Sequence, residues 1–224
     1  MAKPVASAHE VPTEFGPARL HVSDPGKAPV GRIALGHGFG GGVNAPDLVA
    51  VFGAATAAGW QVVLIEQPYR VAGKKAGPRT PALDAGWLAA MAGLDALAKD
   101  GSIRRLVRGR PLVTGGRSAG ARTACRTADQ LGVTGICCLA FPLHPPGRPE
   151  SSRAEELLAP AAPALVVQGE TDPFGRPGEF HALPLPARVE LVAVPGDHGL
   201  SRPVTTVRAV AEQVTGWLER LRQK

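Results

Sequence analysis

Three short segments carry side chains that could act on a carbonyl together. The first is Gly116-Arg117-Ser118-Ala119-Gly120, a G-x-S-x-G run that directly follows the apolar residues Leu112–Thr114 and opens a helical pattern reaching Leu131. A serine at a tight strand-to-helix turn has its hydroxyl held above the sheet edge. Gly116 and Gly120, two residues either side, leave room where a Cβ would meet neighbouring backbone. The positive end of the following helix favours negative charge developing at that point. A serine hydroxyl is a weak nucleophile without a base to take its proton. Of the six histidines, His198 is best placed, in Pro195-Gly196-Asp197-His198-Gly199 between the last apolar run and the final helix. A carboxylate must then orient the imidazole and stabilise its cation. Asp172, just past the run Leu165–Gln168, fits better than Glu170, which is still in the turn leaving the strand. It also fits better than Asp197, whose position beside the histidine marks a turn former.

Acyl transfer also needs donors for an oxyanion. The Ala119 amide, next after the nucleophile, is one candidate. The Phe39 amide, in the glycine-rich segment Gly36–Gly42, is the other. That segment also spells G-x-G-x-x-G, with Glu66 placed 25 residues after Gly41 where a ribose-binding acid would be sought. A dinucleotide site should start its helix at the glycines so that amides meet the pyrophosphate. Here Gly42, Val43, Asn44 and Ala45 intervene before Pro46, and that reading leaves Ser118, Asp172 and His198 unexplained. No phosphate-binding loop and no Cys/His spacing for zinc is present, so neither cofactor nor metal is expected.

The elements that must position these residues alternate between short β-like runs and longer helical ones, the pattern of a mostly parallel sheet with helices on both faces. Val11–Phe15 and Arg19–Val22 read as an antiparallel hairpin turning at Gly16-Pro17. Strands are expected at Arg32–Leu35, Val62–Ile65, Leu112–Thr114, Ile136–Ala140, Leu165–Gln168 and Val189–Val194. Helices are expected from Pro46 to Ala58, Pro81 to Ala98, the elbow to Leu131, and at the C-terminus. Leu83, Trp87, Met91, Leu94 and Ala98 share one helical face. Val207, Val210, Val214, Trp217, Leu218 and Leu221 share another, and both sets read as core. Gln67–Thr80 reads as a long polar loop.

The 224 residues fit one domain, 44% of them hydrophobic. A chain of that length buries roughly 70% of its unfolded surface, so its core needs neither disulfide nor metal. Cys125, Cys137 and Cys138 are an odd set in apolar surroundings and read as buried free thiols. Residues 1–15 lack the apolar centre of a signal peptide, and no run reaches the length of a membrane span. A cytoplasmic protein without membrane or nucleic-acid partners is expected. The net charge of +6 is concentrated partly in Arg104, Arg105, Arg108 and Arg110, which precede a strand and belong at the sheet end away from the site. No aromatics are interleaved there, which argues against nucleic acid.

Taken together, these segments resemble the KANL/Tex-type α/β-hydrolase-like family, a branch near the dienelactone hydrolases. The resemblance rests on Gly115-Gly116-Arg117-Ser118-Ala119-Gly120-Ala121-Arg122, Phe141-Pro142-Leu143-His144-Pro145-Pro146-Gly147, Gln168-Gly169-Glu170-Thr171-Asp172-Pro173-Phe174-Gly175, Gly196-Asp197-His198 and His37-Gly38-Phe39-Gly40-Gly41. It implies a three-layer α/β/α sandwich of the α/β-hydrolase fold, without a large lid, and a complete Ser-His-Asp triad. It also points to a pocket drawn from Gly38, Arg117, Phe141, His144 and Phe174. Dienelactone hydrolases carry a cysteine nucleophile where this chain has Ser118, so the resemblance does not extend to their substrate. Arg70, Lys74, Lys75 and Arg79, in the loop after Glu66, form an expected basic rim suited to acidic or phosphate-bearing acyl substrates. The expectation is a serine esterase acting on a small acyl compound, as a monomer or homodimer. A hydrolase-shaped binding or scaffold module with little turnover is the second reading.

Overall fold

The computed structural model describes residues 6–223, so the first five residues of the N-terminal stretch read above lie outside it. All eight strands join one sheet in the order β1-β2-β4-β3-β5-β6-β7-β8. β1 (Ala6–Val11) and β2 (Ala18–Ser23) form an antiparallel hairpin, and β2 runs antiparallel to β4 (Gln61–Glu66). The other pairings are parallel and join β3 (Arg32–Gly36), β4, β5 (Leu112–Arg117), β6 (Gly135–Leu139), β7 (Ala164–Gly169) and β8 (Val189–Val194).

The period-two alternation of the strands feeds two apolar layers. Ile33, Leu35, Val62, Leu64, Val113, Leu139, Leu165 and Val167 face one side. There they pack with α1 (Pro46–Ala57) and α7 (Val204–Arg222) through Leu48, Val51, Phe52, Val210, Val214, Trp217, Leu218 and Leu221. Ala34, Val63, Ile65, Ile136, Cys138 and Val166 face the other side, against α3 (Thr80–Lys99) and α4 (Ala119–Leu131). The result is a three-layer sandwich. All five expected core positions of α3 are buried. On α7 the buried stripe begins at Thr206, whose hydroxyl donates to the Pro195 carbonyl, rather than at Val207.

Several expected boundaries are corrected. The first strand lies at Ala6–Val11, not Val11–Phe15. Thr13 curls the later residues into a turn: its hydroxyl accepts the Phe15 amide and donates to the Gly16 carbonyl. Gln67–Thr80 is not wholly loop, because Pro68–Val71 forms a one-turn helix, α2, started by proline at a position that needs no amide. Two further short helices, α5 (Ala154–Leu158) and α6 (Pro177–His181), sit in the segments after β6 and β7.

From β3 the chain reaches β4 on one side of it through α1, and later reaches β5 on its other side through α3. The carboxyl ends of β3 and β5 therefore form a topological switch point, where a crevice opens in such sheets. No helix of the described residues is long and apolar enough to cross a membrane. Cys125, Cys137 and Cys138 are free and buried. Burial pushes the Cys137 thiol up to about 12, so it stays a protonated core group.

Candidate active site

Ser118 directly follows β5 and caps α4 with φ 53° and ψ −109°. This is a left-handed conformation that costs a non-glycine residue about 1–3 kcal/mol. Neighbouring backbone holds it there: the Ser118 amide donates to the Leu139 carbonyl at 2.9 Å. The flanking glycines are required by contact. A Cβ on Gly116 would lie 2.3 Å from the Gly36 carbonyl oxygen, and one on Gly120 2.5 Å from the same atom. Strand β3 thus runs in the notch that the two glycines leave.

The loops after β7 and β8 bring Asp172 and His198 to this point. Ser118 Oγ lies 2.9 Å from His198 Nε2, and His198 Nδ1 lies 2.8 Å from Asp172 Oδ2. A buried carboxylate can only accept, so Nδ1 carries the proton and Nε2 is left with its lone pair toward the serine. Asp172 is fully buried, and its charge is met by further donors, Gln168 Nε2 at 2.9 Å and the Phe174 amide at 2.8 Å. The Phe174 ring stacks on the imidazole, with centroids 4.2 Å apart. Asp197 turns away and accepts the Gly199 amide, as its place in a turn suggests.

The loop after β3 arches over Ser118, close enough that a Cβ on Gly38 would sit 3.6 Å from the serine Cβ. Among the described residues the Phe39 and Ala119 amides donate no hydrogen bond within the chain. His37 fixes the loop from beneath. Its Nε2 accepts the Gln67 amide at 3.1 Å, so its Nδ1–H donates to the Gly38 carbonyl at 2.8 Å. Burial depresses the His37 pKa despite the Gly38 hydrogen bond, in keeping with a neutral ring. Tyr69 on α2 donates to the Phe39 carbonyl at 2.8 Å, and burial pushes its phenol up to about 12, so it remains a donor.

Ser118, Ala119, His198, Gly38, Phe39, Arg117 and Phe174 line one cavity of about 630 Å³. Two expected pocket residues do not reach it. Phe141 is fully buried and meets Phe180 edge-on, because the chain dives back into the apolar layer after β6. His144 turns toward α6, where Nε2 meets Glu179 at 2.8 Å and Nδ1 the Pro145 carbonyl at 2.9 Å. The expected basic rim is also redistributed. Arg79 lines the cavity, whereas Lys74 lines a neighbouring depression and Lys75 and Arg70 border neither. Arg70 is spent on the Lys74 carbonyl at 3.0 Å.

The sequence reading missed Asp47, Arg122, Arg126 and Arg153. Arg122 and Arg126 had a signal: they follow Ser118 at i+4 and i+8, on one helical face. Asp47 had none, because its partner Arg117 is remote in the chain. Asp47 is fully buried 3.2 Å from Arg117 Nε, and Arg117 Nη2 donates to the His198 carbonyl at 2.9 Å. Burial pushes the Asp47 carboxyl up, while Arg117 and His198 pull it down.

Residues 29–222 match the model of a family described as alpha/beta hydrolase domain. No curated protein matches the chain in sequence. Several solved structures share the architecture across nearly the whole chain. A dienelactone hydrolase from Anabaena variabilis superposes with a TM-score of 0.72 at 20% identity, covering 98% of this chain and 99% of that one. XC6422 from Xanthomonas campestris, an α/β serine hydrolase without a lid, gives 0.66 at 21% identity, with 95% and 94% covered. Est1E from Butyrivibrio proteoclasticus gives 0.70 at 14% identity, with 97% and 99% covered. At these identities the likeness is one of fold.

Proposed function

The chain belongs to the alpha/beta hydrolase family, and from that premise we propose that it is a serine hydrolase of carboxylesterase type with Ser118, His198 and Asp172 as its triad. The observation that carries the reading is the unbroken run of contacts at 2.9 and 2.8 Å from Ser118 through His198 to Asp172, opening on the cavity. In this mechanism Ser118 Oγ attacks the substrate carbonyl carbon while its proton passes to His198 Nε2. Asp172 keeps the ring oriented and stabilises the imidazolium. The Phe39 and Ala119 amides hold the tetrahedral oxyanion, and the helix α4 N-terminus adds its dipole. The leaving alcohol takes the proton from His198 as the acyl group stays on Ser118. Water, deprotonated by the same imidazole, then releases the acid. The cavity has room for a small acyl compound, and its lining comes from the loops after β3, β6, β7 and β8, the start of α3 and the first turns of α4 rather than from a long insertion, so water reaches the acyl-enzyme directly.

Hydrolysis of 4-nitrophenyl esters of increasing acyl length tests the reading. Turnover that Ser118→Ala lowers by about 10⁴-fold or more is expected for a nucleophile. Turnover equal in Ser118→Ala would remove Ser118 as the nucleophile, and none for any ester would leave the chain a hydrolase-shaped binding module instead.

A further inference from the structure

Beside the triad the cavity wall carries a second feature. Arg79, Arg117, Arg122, Arg126 and Arg153 line it, and no aspartate or glutamate does. Three carboxylates approach the arginines from outside the lining. Asp47 stands behind Arg117. Glu156 takes Arg122 in a two-bond fork at 2.8 and 2.5 Å and Arg126 Nη1 at 2.8 Å, and Asp84 takes Arg126 in a second fork at 2.8 and 2.6 Å. Five guanidinium groups thus meet three carboxylates. Arg79 and Arg153 have no acidic partner within ion-pair distance among the described residues. Among the described residues the Arg153 side chain is tethered only by Nη1 to the Pro142 carbonyl at 3.2 Å. Burial, then Arg122 and Arg126, push its pKa down against the pull of Glu156, as expected for a cation in a positive field.

The forks have a physical consequence. Each holds a planar guanidinium in one orientation, so the wall is ordered before any ligand arrives, and the two unmatched charges are left for what enters. Arg122 and Arg126 stand one and two turns along α4 from Ser118, roughly 6 and 12 Å along the helix axis. We propose that this wall, with Arg153 and Arg79 as its unmatched cations, is an anion subsite. The substrate is then a small ester bearing an oxyacid group, carboxylate or phosphate, a few bonds from the scissile carbonyl. The inference rests on the hydrolase reading and gives its substrate a charge. Of the expected rim of Arg70, Lys74, Lys75 and Arg79 it keeps only Arg79, and it places the anion site on the α4–α5 wall.

The probe pair is 4-nitrophenyl hemiadipate and neutral 4-nitrophenyl hexanoate, whose acyl chains have equal length. In each, the bond between acyl carbon and aryl oxygen breaks, water supplies the new oxygen on carbon, and 4-nitrophenol leaves. The expected result is a kcat/KM preference for the hemiadipate that Arg153→Gln lowers by about 10- to 100-fold, the range for one charge-assisted hydrogen bond. Arg153→Lys should keep part of the preference. Arg79→Gln, at an exposed side chain without a hydrogen-bond partner among the described residues, should lower it less. Added salt should erode it. Adipate or inorganic phosphate as competitive inhibitor distinguishes carboxylate from phosphate as the preferred group. A preference that none of these changes alters, or equal losses on both esters, would overturn the subsite. If neither ester is turned over, the hydrolase reading fails by itself, and calorimetry on Ser118→Ala still decides the subsite. Monomethyl adipate should bind, methyl hexanoate should not, and Arg153→Gln should abolish the difference. Equal binding of the two would refute the proposal.

Discussion

Replacing Gly120 by alanine should destabilise the protein, although helix propensity alone predicts the opposite. Gly120 lies in the first turn of α4, where alanine normally stabilises by about 1 kcal/mol. Its added Cβ would lie 2.5 Å from the Gly36 carbonyl oxygen, 2.6 Å from the carbonyl carbon and 3.0 Å from its Cα. All three are backbone atoms of a strand paired on both sides, so no rotamer change relieves them, and β3 or α4 must shift by about 1 Å. Overpacking of this kind costs about 3 kcal/mol at the upper end of its range. The net loss is about 2 kcal/mol, which in a chain of this size lowers Tm by about 4–8 °C. Gly53 supplies the control, since it lies inside α1 and a Cβ there meets nothing within 4 Å. Gly53→Ala should raise Tm by about 2–4 °C. Thermal unfolding followed by circular dichroism measures both. A Gly120→Ala protein that melts with the parent, or a Gly53→Ala protein that falls as far, would refute the steric account of the elbow.

Asp172→Asn should keep the fold and lower kcat by about 10³- to 10⁴-fold, because the amide favours the wrong imidazole tautomer; a loss under tenfold would remove Asp172 from the triad. Tyr69→Phe should cost about 1 kcal/mol in urea unfolding and lower kcat, since the Phe39 carbonyl loses the bond that orients the loop carrying the proposed oxyanion donor; unchanged kcat would uncouple that loop from catalysis. The His144–Glu179 pair should stabilise chiefly between about pH 4.5 and 6.5. The Pro145 carbonyl, then Glu179, raise the His144 pKa, so its contribution is full below the unfolded value near 6.5 and fades as pH rises through the folded one. The Arg176 amide, then His144, lower the Glu179 pKa, so that contribution is full above about 4.5 and fades as pH falls through the folded value. Glu179 is 42% exposed, so the pair is worth under about 1 kcal/mol. The Tm gap between parent and Glu179→Gln should peak in that window, and a gap independent of pH would contradict the pairing.

Much of the architecture was legible because it is written locally. The elbow needs only a strand, two glycines around a serine, and a helix, all within one stretch of chain. Asp172 and His198 follow apolar strands, and in a parallel sheet every such end faces the same edge, so their meeting with Ser118 was readable from order alone. The failures came where tertiary packing decides. The first strand was placed too late because Thr13 turns residues whose composition also suits a strand. Helices α2, α5 and α6 have four or five residues, too few for a periodic signal. Phe141 and His144 follow a strand as pocket residues do, but one is drawn into the apolar layer and the other to Glu179. Of the expected rim of Arg70, Lys74, Lys75 and Arg79 the cavity uses only Arg79, and most of its charge comes from Arg117, Arg122, Arg126 and Arg153; carboxylates from α3 and α5 hold two of these, and no sequence spacing encodes those partners.

Intact-mass analysis after treatment with a fluorophosphonate probe tests the triad most directly. One adduct is expected, located by peptide mapping on Ser118. It should be lost in Ser118→Ala and formed at least 100-fold more slowly in His198→Ala, whose serine has no base. A protein that takes up no probe, or labels as fast without the imidazole, would contradict it.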